Sequence, residues 1–189
     1  MAIIKSEKLE KNALEMGASM MALSARTAPK TRGIDSVKTM VLTEKDLEQL
    51  AAAMEKKIKD KSIELPTFKR DAENVRNSAA VLLIGVSRDP KRIELPLNCG
   101  ACGYKNCKAL VAAGKRDGED FTGPVCIFQA IDLGIALGSA GKMAGELNID
   151  NRMMYTIGAA AKKLNLLDSD MIIGIPLSAT GKNPYFDRT

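Results

Sequence analysis

Apolar residues in this chain follow two spacings, and the alternation between them sets out its elements. From Ala13 to Ala25 the sequence is almost continuously apolar, which predicts a helix over residues 7–25 buried on most of its sides. A turn-rich segment from Arg26 to Ser36, with Pro29 and Gly33, separates that helix from a strand over Val37 to Leu42. Leu47, Leu50, Ala51, Met54 and Ile58 then recur at helical intervals and predict a second helix, opened by Thr43 with Asp46 three residues on. A short helix is predicted over 68–77. The run from Ala79 to Val86 (AAVLLIGV) has no polar interruption and is partly β-branched, the pattern of a strand covered on both faces.

Farther along, helices are predicted over 105–115, 125–147 and 155–165, and a last strand over Met171 to Ile175. Within the long helix, Gly134, Ala136, Gly138, Ala140 and Gly141 form a stripe of small residues. Such a stripe lets another backbone come close, within the chain or across a dimer. Glycine costs about 1 kcal/mol in a helix interior, so something local must compensate. The order of elements predicts an α/β or α+β fold.

Composition narrows the chemistry. At 189 residues, 46% of them hydrophobic and 27% charged, the chain can build a core without disulfides and is predicted to be a single domain over 1–189. It contains no His, which removes Ser-His-Asp and Cys-His catalysis, HExxH zinc chemistry and His-held haem. Trp is absent and Tyr and Phe number only 3 and 4, too few for base-stacking platforms, so nucleic acid is not expected as a partner. The net charge of +5 is spread among acidic neighbours, as in the run from Glu55 to Lys61, and reads as solvated helix surface. The stretch from Ile127 to Met143 carries Gln129, Asp132 and Lys142 and is too polar to span a membrane. With no apolar leader after Met1, the expected location is the cytoplasm.

In that setting four cysteines are not two disulfides. Cys99, Cys102 and Cys107 crowd together in the segment LPLNCGACGYKNC, and Cys126 follows, a C-x2-C-x4-C-x18-C spacing. Thiolates are the soft ligands that iron–sulfur clusters and zinc select, and four complete either site. Gly100 and Gly103 suit a tight loop whose backbone approaches cluster sulfurs. Structural zinc sites more often use two separate C-x2-C knuckles, and only one is present, so the cluster leads and zinc is the alternative.

The segment from Leu95 to Tyr104, with Cys107-Lys108-Ala109 and a distant Cys126, resembles the small four-iron–four-sulfur domain of the corrinoid iron–sulfur protein and of the B subunit of Rnf-type electron-transport complexes. The resemblance implies that Cys99, Cys102, Cys107 and Cys126 ligate a [4Fe-4S] cluster within an inserted segment, residues 95–130. Pro124 precedes the last cysteine here, where that domain has a Pro after it. A second resemblance lies in Ala28-Pro29 and the turn to Ser36, in Asp132 to Ala136, in Ala159 to Leu167 and in Ile172 to Pro176, which are similar to nitroreductases. It implies a nitroreductase-like sheet flanked by helices and an intertwined homodimer. It also implies FMN bound near Arg26, Lys30, Arg32 and Gly33. Gly33, Asp35 and Ser36 stand where nitroreductases carry Asn, Gln and Pro. Together the two resemblances point to the family of ferredoxin-domain proteins in which a nitroreductase-like scaffold carries a cluster insert.

Two functions follow. One is an iron–sulfur redox protein passing electrons through a [4Fe-4S] cluster, with a flavin as a possible second cofactor acting on a small substrate, and with Lys105, Lys108, Lys115 and Arg116 receiving an acidic ferredoxin- or flavodoxin-type carrier. The other is a non-catalytic binding or sensing protein on a degenerate flavoprotein scaffold, its cluster or zinc structural. Without His or a placed carboxylate pair, any catalysis rests on cofactors.

Overall fold

The computed structural model describes residues 3–61 and 66–186, with side chains 59–61 of the basic run outside the description. Helix α1 (Ser6–Thr27) leads through a 3-10 turn at Thr31–Gly33 into strand β1 (Lys38–Thr43). Helices α2 (Lys45–Lys61) and α3 (Pro66–Arg76) precede β2 (Ala80–Val86). After the cysteine loop come α4 (Cys107–Ala112), a ribbon of β3 (Arg116–Asp117) and β4 (Thr122–Gly123), and α5 (Ile127–Glu146). The chain ends with β5 (Asp150–Asn151), α6 (Tyr155–Lys163) and β6 (Met171–Ser178).

Strands β1, β2, β6 and β5 form one sheet in that order, and every pairing is antiparallel. Strand β2 is buried at every position, as its unbroken apolar run requires. Its alternate residues feed two cores. Val81 and Leu83 join Leu50, Met54, Phe68 and Ile157 from α2, α3 and α6, while Leu82, Ile84 and Val86 meet Met21, Leu133 and Ala136 from α1 and α5. The result is an α+β sandwich with helices on both faces of the sheet.

Several boundaries differ from the sequence reading for identifiable reasons. Thr43 does not open α2; it is the last residue of β1, opposite Ala80. Helix α4 begins at Cys107 because the Asn106 side chain accepts the Ala109 N–H at 2.9 Å, and it is over before Gly114, where φ is +69°. β6 runs three residues past Ile175 because Pro176 and Leu177 still face β2. The β3–β4 ribbon and β5, two residues each, are too short for periodicity to reveal. Helix α1 buries one face only, through Leu14, Gly17, Ala18, Met21 and Ala25, and leaves Met16, Met20 and Leu23 exposed.

The glycines of α5 are likewise not its contact with α1. Ala136 and Ala140 are buried there, and Ser24 and Ser139 are 2.8 Å apart across the helix pair, whereas Gly134 and Gly138 face open space. Between β2 and α4, residues 87–106 form no helix or strand. Among the described residues no helix is long and apolar enough to cross a membrane.

Candidate metal centre

Three of the four cysteines line one small pocket. Cys99 enters from the irregular segment, Cys107 from the first residue of α4, and Cys126 from the residue just before α5. Local hydrogen bonds explain how these distant segments are held. The Cys126 N–H donates to the Arg88 carbonyl at 2.9 Å, tying the start of α5 to the chain leaving β2. The Cys107 N–H donates to Asn98 Oδ1 at 3.0 Å, and Asn98 itself has a φ of +49°. Gly100 and Gly103 have φ of +75° and +82° with nothing near where a side chain would stand, so the turn needs glycine for conformation rather than for space. Cys102 rides on that turn, half-buried and outside the pocket lining.

The thiols differ in exposure: Cys107 and Cys126 are buried, Cys99 is exposed. Burial pushes the Cys126 thiol above its usual range, the N–H groups of Phe128 and Gln129 pull it back, and the nearness of Cys107 and Cys99 raises it again. Three thiols that line one pocket are a soft donor set. Part of the pocket wall is basic, from Arg32, Lys91 and Arg92. Positive groups there offset the negative charge that several thiolates bring. The residues present fit four-thiolate chemistry in kind: three thiols line the pocket, and Cys102 stands half-buried on the neighbouring turn. Among the described residues, no three Cys, Asp or Glu are gathered closely enough for a single ion.

Sequence reasoning missed the polar network behind this wall. The Lys91 ammonium, its side chain 3% exposed, stands 2.8 Å from Asp132 Oδ2 and donates to Ile34 O and Ser36 Oγ. The other oxygen of Asp132 accepts from the Thr31 N–H and hydroxyl at 2.9 and 2.8 Å. Gln129 accepts from Ser36 and donates to the Asp89 carbonyl. The turn after α1, the segment after β2 and the first turns of α5 are thus pinned together around the pocket. An Asp and a Gln inside an apolar helix were the visible signal.

The predicted flavin residues are turned to other tasks within the chain. Arg26 pairs with Asp35 at 3.0 Å and donates to the Val37 carbonyl. Lys30, its side chain 7% exposed, lies 3.9 Å from Asp35 and donates to the carbonyls of Ala25 and Arg26. Arg32 donates to the Leu95 carbonyl and so joins the turn to the cysteine segment. Gly33 follows at a φ of +68°. Within the chain, then, the side chains of this turn hold the turn itself and join it to the cysteine segment.

The model of a family described as "uncharacterized protein containing a ferredoxin domain" (DUF2148) matches residues 122–188, a span that includes Cys126. An "uncharacterized protein" of Archaeoglobus fulgidus is 45% identical over 188 residues, covering 98% of this chain and 97% of its own length. The chain belongs to this ferredoxin-domain family.

Solved structures similar to the chain share its fold at low identity. The NADPH:FMN oxidoreductase of Vibrio harveyi, solved with NAD+, is 12% identical with a TM-score of 0.53, over 100% of this chain and 65% of that one. A nitroreductase family protein from Clostridium novyi is 15% identical with a TM-score of 0.52, over 95% and 77%. An FMN complex from Desulfovibrio desulfuricans, assigned to the nitroreductases, is 12% identical with a TM-score of 0.53, over 100% and 81%. The family member described here therefore has a nitroreductase-like fold.

Proposed function

We propose that this chain is an iron–sulfur redox protein in which Cys99, Cys102, Cys107 and Cys126 hold a four-iron–four-sulfur cluster in the inserted segment 95–130. The observation that carries the reading is the meeting of Cys99, Cys107 and Cys126 in one pocket that Arg32, Lys91 and Arg92 also line. When bound, such a cluster supplies one-electron transfer. The chain's part is to position and insulate. Asn98 and Asn106 hold the loop and the start of α4 by side-chain bonds to the amides of Cys107 and Ala109. The buried Cys107 and Cys126 keep water from one side, and the exposed Cys99 faces solvent on the other.

The neighbouring folds include FMN complexes, yet Arg26, Lys30 and Arg32 are engaged within this chain, so no step is assigned to flavin. The reading includes a homodimer through the apolar face that α1 and α5 leave open.

Anaerobically prepared protein should contain about four irons and four sulfides per chain, with a broad visible band that bleaches on reduction. Cys99→Ser and Cys126→Ser should each lose most of both. One zinc and no sulfide would overturn the proposal and leave the centre structural.

A further inference from the structure

The chain exposes apolar side chains in two places, one on the α1–α5 helix pair and one in the segment before Cys99. On the α1–α5 face the exposed side chains include Met20, Leu23, Ile131 and Ile135. The other set lies in the segment that leads to the exposed cysteine: Ile93, Leu95 and Leu97 are 38%, 56% and 47% exposed, and Cys99 follows. Arg92 is exposed beside them, and it lines the thiol pocket together with Arg32, Leu97 and Cys99. Lys105 and Lys108 flank Cys107 and are exposed as well. From residue 91 to 108 the sequence holds four basic side chains and one acid, Glu94, which pairs with Arg92 at 3.2 Å. Lys91 is the one turned inward, against Asp132. Two other basic residues near the loop are taken up by the fold, Lys115 by Asp170 and Arg116 by the Tyr104 hydroxyl.

We propose that the surface formed by Ile93, Leu95 and Leu97, rimmed by Arg32, Arg92, Lys105 and Lys108, docks an acidic one-electron carrier protein beside Cys99. This rests on the cluster reading for its purpose, though not for its geometry. Three apolar side chains inside a polar rim have the anatomy of a small interface. Electron-transfer encounters sit at the low end of interface size, where charge sets the approach rate and register more than buried area does. A second copy is the wrong occupant. A two-fold axis here would set the same basic rim against itself, and like charges across an interface are costly. A cluster held beside Cys99 would accept the one electron that the carrier gives up, with no bond made or broken.

Calorimetric titration of the whole protein with oxidised plant-type ferredoxin, an acidic probe, and with cytochrome c, a basic one, tests the surface directly. The ferredoxin should bind, and raising salt from about 20 mM to 300 mM should weaken it about tenfold, because the pairing charges are exposed and screened. Cytochrome c should not bind. Arg92→Glu with Lys108→Glu should weaken ferredoxin about tenfold, and Leu95→Ser with Leu97→Ser should weaken it at both salt concentrations. Lys56→Glu, on the exposed face of α2, should change nothing.

Equal binding of both probes, or no effect of charge reversal, overturns the docking surface. So does a halved molecular mass for the Leu95→Ser/Leu97→Ser variant, which would mean that a second copy covers the face. Because calorimetry needs no cluster, the two readings fail separately. Ferredoxin binding without iron would sink the cluster and keep the surface, and iron without binding would do the reverse.

Discussion

Asp132 concentrates the argument at the scale of a single residue. It is fully buried on α5, and its carboxylate is matched by the Lys91 ammonium and two donors from Thr31. Removing one partner of such a pair leaves an uncompensated charge in a low-dielectric site, which costs more than the pair itself contributes. Asp132→Asn should therefore lose about 3 kcal/mol in urea unfolding, and adding Lys91→Met should recover much of that loss. If the single variant is as stable as the parent, the pair is not buried as described. An Asp in an apolar helix is visible in the sequence as a break in pattern. That its partner is Lys91, on a segment with no periodicity of its own, is not, because long-range pairing leaves no local trace.

Elements were legible where burial imposes a period. Strand β2 and helices α2 and α5 follow from their apolar spacing, since each presents a full face to a core. The meeting of Cys99, Cys107 and Cys126 was legible for another reason: soft-donor chemistry is written in residue type and spacing. What escaped were ends and junctions set by single interactions, such as Asn106 starting α4 two residues late. The nearness of Thr31 and Arg32, in the turn read as similar to a flavin turn, to the thiol pocket escaped too, because that contact is long-range. One junction carries a sharp test. A methyl on Gly158 would stand 1.7 Å from the Ile172 carbonyl oxygen, so α6 lies on β6 at a distance only glycine permits. Gly158→Ala should cost about 3 kcal/mol or prevent folding, because backbone, unlike a side-chain tip, has no easy way to yield. An unchanged urea midpoint would mean that α6 sits farther from the sheet.

At the scale of the whole molecule, α1 and α5 together leave Met16, Met20, Leu23, Ile131 and Ile135 uncovered, with Gly134 and Gly138 open between the α5 side chains. Exposed apolar side chains gathered on one helix pair suit an association site, and two-fold pairing is the commonest way to cover one. The proposed homodimer should give a light-scattering mass near twice the 20.3 kDa of the chain. Leu23→Glu with Ile131→Glu should return it to one chain. Gly138→Leu separates assembly from folding, since a Cβ there would meet nothing within 4 Å beyond its own stretch of helix: the dimer should be lost while the protomer's own unfolding midpoint is kept. A parent mass of about 20.3 kDa would rule the dimer out.

The absence of regular structure across residues 87–106 has a consequence for how the molecule moves. Amide protons in β2 are released to solvent only when the sheet itself opens. Those of the cysteine segment, outside any ladder, are released by local opening that leaves both cores intact. Ligation of Cys99 and Cys102 would join this segment to α4 and α5 and slow its exchange without altering that of the sheet. The hydrogen-exchange rate of these few amides, rather than the melting temperature of the whole, is then the quantity through which the chain registers whether its thiols are filled.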